Sequence, residues 1–341
     1  MMKKIFALVL AVVMVLAMGA TAFAAGNGTD SLGTGNTVTI KDKLIAYNPD
    51  ETSIFAPAVT FSYTIAAGTG GNTVTDADDV QAVVLAGNWS GKDSNNNDIA
   101  VSGSPTITAS NAYTMADTLT ASGAGDTTNE KNIVISFDDV TFPKPGIYRY
   151  TITRTIAEDN NALESKEAVT RTLDVYVKEE SGTRSIYGYI LHDITGDVTK
   201  TSTTKYDHFE SVYKTSNLTV SKTLVNDAMM NGHKFPFTVS FENTKGAHIL
   251  TKVDTGTAEI GTLAAGDTSD TNAKIANAAT IKYVGIPNGF TASVYETNDV
   301  TGTSYTSEGT ADTNAASKMI VWEGEGAKSN TASTNAATDT T

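Results

Sequence analysis

Short runs of alternating apolar and polar residues recur along this sequence and leave few folds open to it. The runs are rich in Val, Ile, Thr, Tyr and Phe, and clusters of Gly, Asn, Asp and Ser separate them. Alternation with a period of two places the apolar side chains on one face of a strand. No segment beyond residue 24 sustains an apolar period of 3.6 residues. The pattern predicts an all-β fold of the sandwich type, with helix limited to short turns.

An internal repeat indicates that the chain holds two units of one type. Residues 37–44 (TVTIKDKL) align with residues 217–224 (NLTVSKTL). An aromatic strand follows each copy, at residues 61–65 and 237–241. Two tandem β-sandwiches explain the repeat.

The composition changes along the chain predict the domain limits. A basic start, an apolar run and the cleavage site Ala-Phe-Ala mark residues 1–24 as a bacterial secretory signal peptide. The first sandwich is predicted over residues 25–214, with a polar insertion at about 66–130, and the second over residues 215–325. Residues 326–341 are mostly Ser, Thr, Asn, Ala and Asp without an apolar period, which predicts a disordered polar tail.

Charge and cysteine content exclude several classes of function. The formal net charge is −14 and the isoelectric point is near 4.7. Nucleic acids are bound by clustered Lys and Arg, so we expect no nucleic-acid partner. The chain has no cysteine, which removes disulfides, zinc–thiolate sites and thiol catalysis. No segment beyond the signal peptide is long and apolar enough to predict a membrane span in the mature chain.

Four segments carry a family resemblance. They are residues 142–152 (FPKPGIYRYTI), 173–177 (LDVYV), 209–213 (FESVY) and 218–222 (LTVSK). In this order they resemble the Gram-positive major pilin backbone family of the streptococcal T-antigen type. The second domain resembles a CnaB-like immunoglobulin sandwich. The resemblance implies a structural protein that is secreted or held at the surface of a Gram-positive-type bacterium.

The resemblance also implies an intramolecular isopeptide bond in each domain. In that family a Lys on the first strand attacks an Asn on the last strand, and a buried Glu on a middle strand transfers the protons. Burial favours this chemistry because it lets a Lys lose its proton and a carboxyl group keep one.

The first domain departs from this pattern at all three positions. Asp42 lies on the face of Val38 and Ile40, where the family has its Lys. Arg154 stands at the Glu position and Ser211 at the Asn position. We therefore predict a degenerate isopeptide site, with a buried Asp42–Arg154 ion pair and Ser211 nearby as a hydrogen-bond partner. The alternative is a different strand register that turns Asp42 and Arg154 to solvent.

The second domain keeps two of the three parts. Lys222 follows Leu218 and Val220 on one face, and Glu296 stands at the Glu position. The expected last strand, residues 319–324, supplies no Asn. This partial isopeptide site predicts a plain Lys222–Glu296 ion pair, with a covalent bond as the alternative.

The means of covalent assembly is not evident in the sequence. Related pilins end in a sortase signal, and this sequence contains no LPxTG-like motif. Lys144, Lys200 and Lys205 lie in regions where such pilins accept the C-terminus of a neighbour. Without a donor signal we expect them to be ordinary surface lysines.

Nothing in the sequence predicts catalysis, a metal site or a cofactor. His192, His208, His233 and His248 are scattered, without the spacing of a metal pair on one element. Residues 93–98 (DSNNND) begin like a calcium loop but lack the Gly and the Glu that complete one, so we expect a turn. We predict that the protein is not an enzyme.

The sequence thus predicts a secreted structural protein that resembles a pilus backbone subunit and self-associates into filaments. The alternative is a secreted adhesin that binds a glycan or a host protein. The polar insertion would supply that surface, because loops carried on rigid sandwiches often hold function.

Overall fold

The structure is a computed structural model in which strands make up most of the described residues. It describes residues 32–47, 53–75, 81–121, 126–156, 163, 168–193, 196–199, 205–223, 232–242, 244, 247–287, 290–296 and 320–323. These ranges contain no helix, and the all-β prediction is confirmed. No helix able to cross a membrane occurs among them either. The signal peptide and the polar tail predicted from the sequence lie outside the described residues.

Among the described residues, seventeen strands run from the start of the first sandwich to Ser221. They are β1 (Thr37–Tyr47), β2 (Ser53–Phe55), β3 (Val59–Ala67), β4 (Thr73–Thr75), β5 (Gln81–Ala86), β6 (Ser90–Lys92), β7 (Asp98–Ala100), β8 (Thr106–Ile107), β9 (Ser110–Tyr113), β10 (Thr118–Ala121), β11 (Asp126–Ser136), β12 (Gly146–Ile156), β13 (Val169–Glu180), β14 (Thr183–His192), β15 (Val198–Thr199), β16 (Lys205–Tyr206) and β17 (His208–Ser221).

Seven further strands in the described part of the chain belong to the second sandwich. They are β18 (Lys234–Glu242), β19 (Leu250–Thr255), β20 (Ala258–Glu259), β21 (Ser269–Ala276), β22 (Thr280–Pro287), β23 (Thr291–Glu296) and β24 (Ile320–Glu323).

Two sheets face each other in the first sandwich. One has the order β2-β10-β11-β1-β17, and β8 pairs with β11. The other is built on β12, β13 and β14, and β12 also pairs with β3 and, in parallel, with β5. Strand β11, which begins inside the predicted polar insertion, pairs with β1 along its whole length. Residues 66–130 therefore include strands of both sheets.

The core of the first sandwich follows from the alternation in the sequence. Val38, Ile40 and Leu44 on β1 point inward, because they share one face of the strand. From the opposite sheet Tyr150 and Ile152 join them in one buried apolar cluster. Burial of such aliphatic and aromatic side chains stabilises the sandwich by about 1.5–3 kcal/mol each.

Strand β17 belongs to both sandwiches. Its first part pairs in parallel with β1, from His208 to Lys214. Its second part pairs antiparallel with β22, beginning at Thr215. The predicted domain boundary at residues 214/215 therefore lies inside a continuous strand.

The second sandwich has a four-stranded sheet on each side of its core. One side is β19-β22-β17-β24 and the other is β20-β21-β18-β23. Phe237, Phe241 and Tyr283 are among the buried residues between them. The ring of Phe241 meets that of Tyr283 edge-on at 5.3 Å between centroids. This arrangement places Leu218 and Val220 on the inner face, as the sequence repeat predicts.

Candidate functional site

The three residues predicted for the first isopeptide site lie on three different strands. Asp42 is on β1, Arg154 on β12 and Ser211 on β17, and all three are buried. Strands β1 and β17 are parallel neighbours, with Asp42 opposite Phe209 and Leu44 opposite Ser211. Ser211 thus shares the inner face with Asp42, two residues further along. The site spans both sheets of the sandwich.

Asp42 and Arg154 form a buried ion pair. Nη1 of Arg154 donates to Oδ1 of Asp42 at 3.2 Å, and Nη2 donates to the backbone oxygen of Glu210 at 2.9 Å. The side chain of Asp42 is 0% exposed and that of Arg154 is 2% exposed. The structure therefore places both inside the sandwich rather than toward solvent. The contact joins β1 to the opposite sheet and reaches the backbone of β17.

Two tyrosines complete the hydrogen bonding around Asp42. The hydroxyl of Tyr63 donates to Oδ2 of Asp42, and the hydroxyl of Tyr113 donates to the backbone oxygen of Asp42 at 2.7 Å. Burial raises the pKa of Asp42, and this effect outweighs the Tyr63 hydrogen bond and the Arg154 charge. Burial and the nearby Asp42 charge also raise the pKa of Tyr63, so its hydroxyl remains a donor.

Aromatic rings line the guanidinium of Arg154. Its Cζ lies 4.8 Å from the centroid of Phe61 and 5.5 Å from that of Phe209. Arg171 lies 5.7 Å from Phe209 and stacks on Tyr206 at 3.4 Å. Cation–π contacts of this kind are worth about 0.5–2 kcal/mol when they are desolvated. They hold the Arg154 side chain in place although its Nε has no hydrogen-bond partner among the described residues.

The arrangement cannot form an isopeptide bond by the route that the family resemblance implies. A guanidinium stays protonated in proteins and cannot take the proton-transfer role of the Glu. A carboxylate at position 42 offers no amine to act as nucleophile. The site supplies instead a non-covalent tie, which Arg154 makes to the Asp42 carboxylate and to the backbone of Glu210. The hydrogen bond of Ser211 to this pair stays a prediction.

The second predicted site is only partly within the described residues. Lys222 is buried, and its Nζ lies 4.3 Å from the ring centroid of Phe235. Glu296 is on β23, where its backbone is opposite Phe237. The side chain of Glu296 lies outside the described residues, so the Lys222–Glu296 ion pair stays a prediction.

A second buried charged cluster was not predicted from the sequence. Arg149 binds Asp174 through two parallel hydrogen bonds, Nε to Oδ1 at 2.7 Å and Nη2 to Oδ2 at 2.8 Å. Nε2 of His192 lies 3.0 Å from the same Oδ2. Burial raises the pKa of Asp174, but the hydrogen bonds from Arg149 and His192 outweigh it and the net pKa is lowered. All three side chains are almost completely buried.

This cluster also holds the segment just before β15 in place. Nη1 of Arg149 donates to the backbone oxygen of Gly196 at 2.9 Å. Oδ1 of Asp197 accepts from the backbone N–H of Thr73 at 2.6 Å. Beside it, Ile147 and Tyr176 join a small apolar cluster on the outer side of the sheet. Residues 172–177 of β13 alternate in sequence (TLDVYV), yet the structure buries all six, so no local sequence signal points to this cluster.

The predicted surface lysines differ in their surroundings. Nζ of Lys144 lies 3.9 Å from the ring centroid of Trp89, and burial lowers the pKa of this lysine. Lys205 is half-buried on β16. Lys200 lies outside the described residues. Lys144 therefore covers one face of the Trp89 ring.

Comparison with known proteins gives two kinds of likeness. A family model described as a domain of unknown function (DUF7601) matches residues 216–337. The chain is similar to the solved structure of the major pilin T-13 from Streptococcus pyogenes, with 21% identity and a TM-score of 0.40. This alignment covers 78% of this chain and 82% of the pilin.

A second solved structure shows the same level of likeness. The major pilin T3.2 from Streptococcus pyogenes has 17% identity and a TM-score of 0.40, over 78% of this chain and 84% of the pilin. No curated protein sequence gives a significant match. Both of these similar structures are streptococcal major pilins, the family that the sequence resembles.

Proposed function

We propose that this protein is a structural subunit of a surface filament, of the pilus backbone kind, in which a buried ion pair replaces the crosslink of the first sandwich. One observation carries the proposal. Strands β1 and β17 lie side by side in parallel, and Asp42, Arg154 and Ser211 occupy the inner face at the three positions that the family resemblance assigns to the crosslink. Such a site ties the first, middle and last strands of one domain together.

The exchanged residues still connect the strands, but they cannot form an isopeptide bond. In the family that the sequence resembles, Lys and Asn form a covalent bond and Glu transfers the protons. Here Arg154 reaches the Asp42 carboxylate on β1 and the Glu210 carbonyl on β17 with one guanidinium. The same three strands are thus connected by charge-assisted hydrogen bonds, which are about twice as strong as neutral ones.

Self-association into filaments is the assembly that this role requires. Two solved structures similar to this chain are major pilins. We place the protein outside the cell, either secreted or at the cell surface. The contacts between subunits are non-covalent in this proposal, and no cofactor takes part.

Immunogold electron microscopy of the native cells tests the proposal. Antibody against the mature chain should decorate filaments, and a denaturing gel of the same material should show a single band. A ladder of covalent multimers would contradict non-covalent assembly. Uniformly dispersed, monomeric protein in the medium would contradict the filament role itself.

One observation favours the adhesin as a second candidate. Strands β6 and β7 form a two-stranded sheet of their own, with Ser90, Lys92 and Asp98 exposed. A small hairpin carried on a rigid sandwich is a suitable place for a glycan or host-protein contact. Binding to a glycan array or to host matrix that is lost when residues 90–100 are replaced by a short turn would support this candidate. Binding that persists in that variant would exclude the hairpin as the contact.

A further inference from the structure

One outer face of the first sandwich carries small uncharged side chains in place of charges. It is formed by the neighbouring strands β9, β3, β12 and β13, whose inward residues belong to the core. Strand alternation turns the residues between them outward. Six of these outward residues bear hydroxyl groups, and we call them the hydroxyl face: Thr60, Ser62, Thr64, Thr153, Thr155 and Thr170.

The strand register sets these hydroxyl groups in rows across the sheet. Thr153 of β12 lies opposite Thr64 of β3 on one side and Thr170 of β13 on the other. The Oγ1 atoms of Thr153 and Thr170 are 3.3 Å apart. In the next row Ser62 lies opposite Thr155. The outward residues of β3 are exposed along the strand, so the rows are open to a partner.

The outer face of the other sheet is charged by contrast. Lys43 of β1 lies opposite Glu130 of β11 on one side and Glu210 of β17 on the other. The whole chain has a formal net charge of −14, so two copies repel one another at most orientations. They approach with the least repulsion through a face that carries no charge. The hydroxyl face is such a surface.

The same face is complementary to itself. A hydroxyl group both donates and accepts hydrogen bonds, so a row of hydroxyls can bond to an identical row. Two twisted sheets can pack face to face with their strands about 30° apart, and small side chains let them approach closely. A surface that meets its own copy across a two-fold axis is the commonest kind of contact between identical subunits. The chemistry of the face therefore fits a second copy of this chain.

The size and position of the face suit a weak contact at the side of the subunit. From the spacing of strands and residues it measures about 20 Å in each direction. That area is about half of the ~800 Å² per partner that a stable complex buries. Its strands β3 and β12 run along the sandwich, so the face lies on a side and not at an end. Such a contact gains strength when it is repeated along a filament.

We infer, on the basis of the filament role proposed above, that the hydroxyl face is a side-by-side contact between two copies of this chain. Each copy presents the same rows across a two-fold axis, with Thr153 near the centre. Hydrogen bonds between hydroxyls replace hydrogen bonds to water, and no charge is buried. Many such contacts acting together hold neighbouring filaments side by side.

Cysteine crosslinking of the soluble mature protein tests the contact without requiring filaments. The chain has no cysteine, so Thr153→Cys introduces a single thiol, and mild oxidation should link two copies through it. Thr39→Cys is the matched control, since Thr39 is exposed on β1 in the facing sheet. The dimer should form about tenfold faster in Thr153→Cys, because the contact raises the effective concentration of the thiols. Equal rates in the two variants would overturn the inference.

Charges at the centre of the face give a second test. Thr153→Lys and Thr153→Glu each set like charges against each other, so each variant alone should sediment as a monomer at concentrations where the parent protein associates. An equimolar mixture of the two should associate again, because opposite charges then meet. Thermal unfolding like that of the parent verifies that both variants are folded. A mixture that stays monomeric, or single variants that associate like the parent, would overturn the inference.

Electron microscopy of the cells separates this inference from the proposed function. We expect bundled filaments in the parent and single filaments in Thr153→Lys. Single filaments in both would overturn the lateral contact and leave the filament role. Absence of filaments together with fast crosslinking of Thr153→Cys would overturn the filament role and leave a contact between two copies. Binding to a glycan array that Thr153→Lys abolishes, without any self-association of the parent, would assign the face to a glycan and overturn the inference.

Discussion

At the scale of single residues, the buried charges of the first sandwich are stabilising only in their pairs. Removing one partner of a buried ion pair leaves the other charge desolvated, which costs about 3–5 kcal/mol. Replacing both partners by apolar side chains of similar size is often neutral. Asp42 and Arg154 offer a direct case, because both lie within the apolar core.

We predict that Arg154→Met lowers the free energy of unfolding by about 3–5 kcal/mol, because Asp42 stays buried without its cation. The double variant Asp42→Leu with Arg154→Met should recover most of that loss. Urea unfolding of the mature protein measures both. Arg184→Met is the control, since Arg184 pairs with Glu179 at the surface and its loss should cost about 0–1 kcal/mol. A double variant no more stable than Arg154→Met would contradict the interpretation.

The two buried carboxylates have opposite effects on acid stability. The pKa of Asp174 is lowered, so its contribution is complete above the unfolded value of about 3.9 and is lost as pH falls through the folded pKa. The pKa of Asp42 is raised, so the folded state takes up that proton first and gains stability on acidification. We predict that the free energy of unfolding falls less steeply on acidification in Asp174→Asn than in the parent protein. In Asp42→Asn it should fall more steeply. Urea unfolding midpoints measured across the acid range test this prediction. An equal dependence of the midpoint on pH in the two variants would refute it.

At the scale of strands, the first site can be tested by asking whether substitutions restore the formation of an isopeptide bond. Strands β1 and β17 of one sheet and β12 of the other already turn positions 42, 211 and 154 toward the same buried space between the sheets. The triple variant Asp42→Lys, Arg154→Glu, Ser211→Asn is expected to form an amide bond between Lys and Asn, with release of ammonia. Intact-mass analysis under denaturing conditions should then show a species one ammonia lighter.

The control for this prediction replaces the carboxyl group by an amide. The variant Asp42→Lys, Arg154→Gln, Ser211→Asn keeps the nucleophile and the target but lacks the group that transfers protons. It should retain the full mass. A folded triple variant with unchanged mass would show that the three positions do not share the required geometry.

Much of the first site could be read from the sequence, because strand alternation assigns faces without knowledge of the partner strand. Asp42 shares the parity of Val38 and Ile40, and the structure buries all three. The Tyr63 hydroxyl that contacts Asp42 could not be predicted, because it depends on how the two sheets are stacked. Parity fixes a face, whereas contacts across the core depend on register and on the distance between sheets.

The Arg149–Asp174–His192 cluster shows where the same reasoning fails. Arg149 alternates with the inward residues Tyr148 and Tyr150, so alternation alone turns it toward solvent. The structure buries it because residues near Gly196 and Asn72 pack against that outer face. Cover of this kind comes from segments distant in sequence, and local patterns do not reveal it.

At the scale of the whole molecule, β17 joins one sheet of the first sandwich to one sheet of the second. The strand passes from β1 to β22 without a break between Lys214 and Thr215. A packed joint with Val284 in the neighbouring core adds to this coupling. We therefore expect the sandwiches to unfold together.

A flexible insertion should separate them. Four Gly and Ser residues placed between Lys214 and Thr215 should convert one thermal transition into two, because the strand no longer transmits order across the joint. Differential scanning calorimetry measures this. The same insertion between Asn95 and Asn96, in an exposed turn, should leave a single transition. Two transitions in the parent protein would contradict the prediction.

The parallel pairing of β1 and β17 has a consequence for a subunit under tension. Because the two strands run in the same direction, the start of β1 and the point where β17 enters the second sandwich lie at opposite ends of the pair. Tension between these points loads the hydrogen bonds of the pair in shear, all together, instead of peeling them open in succession. Arg154 donates hydrogen bonds to both strands from the facing sheet. These bonds would also have to break before β1 could slide along β17.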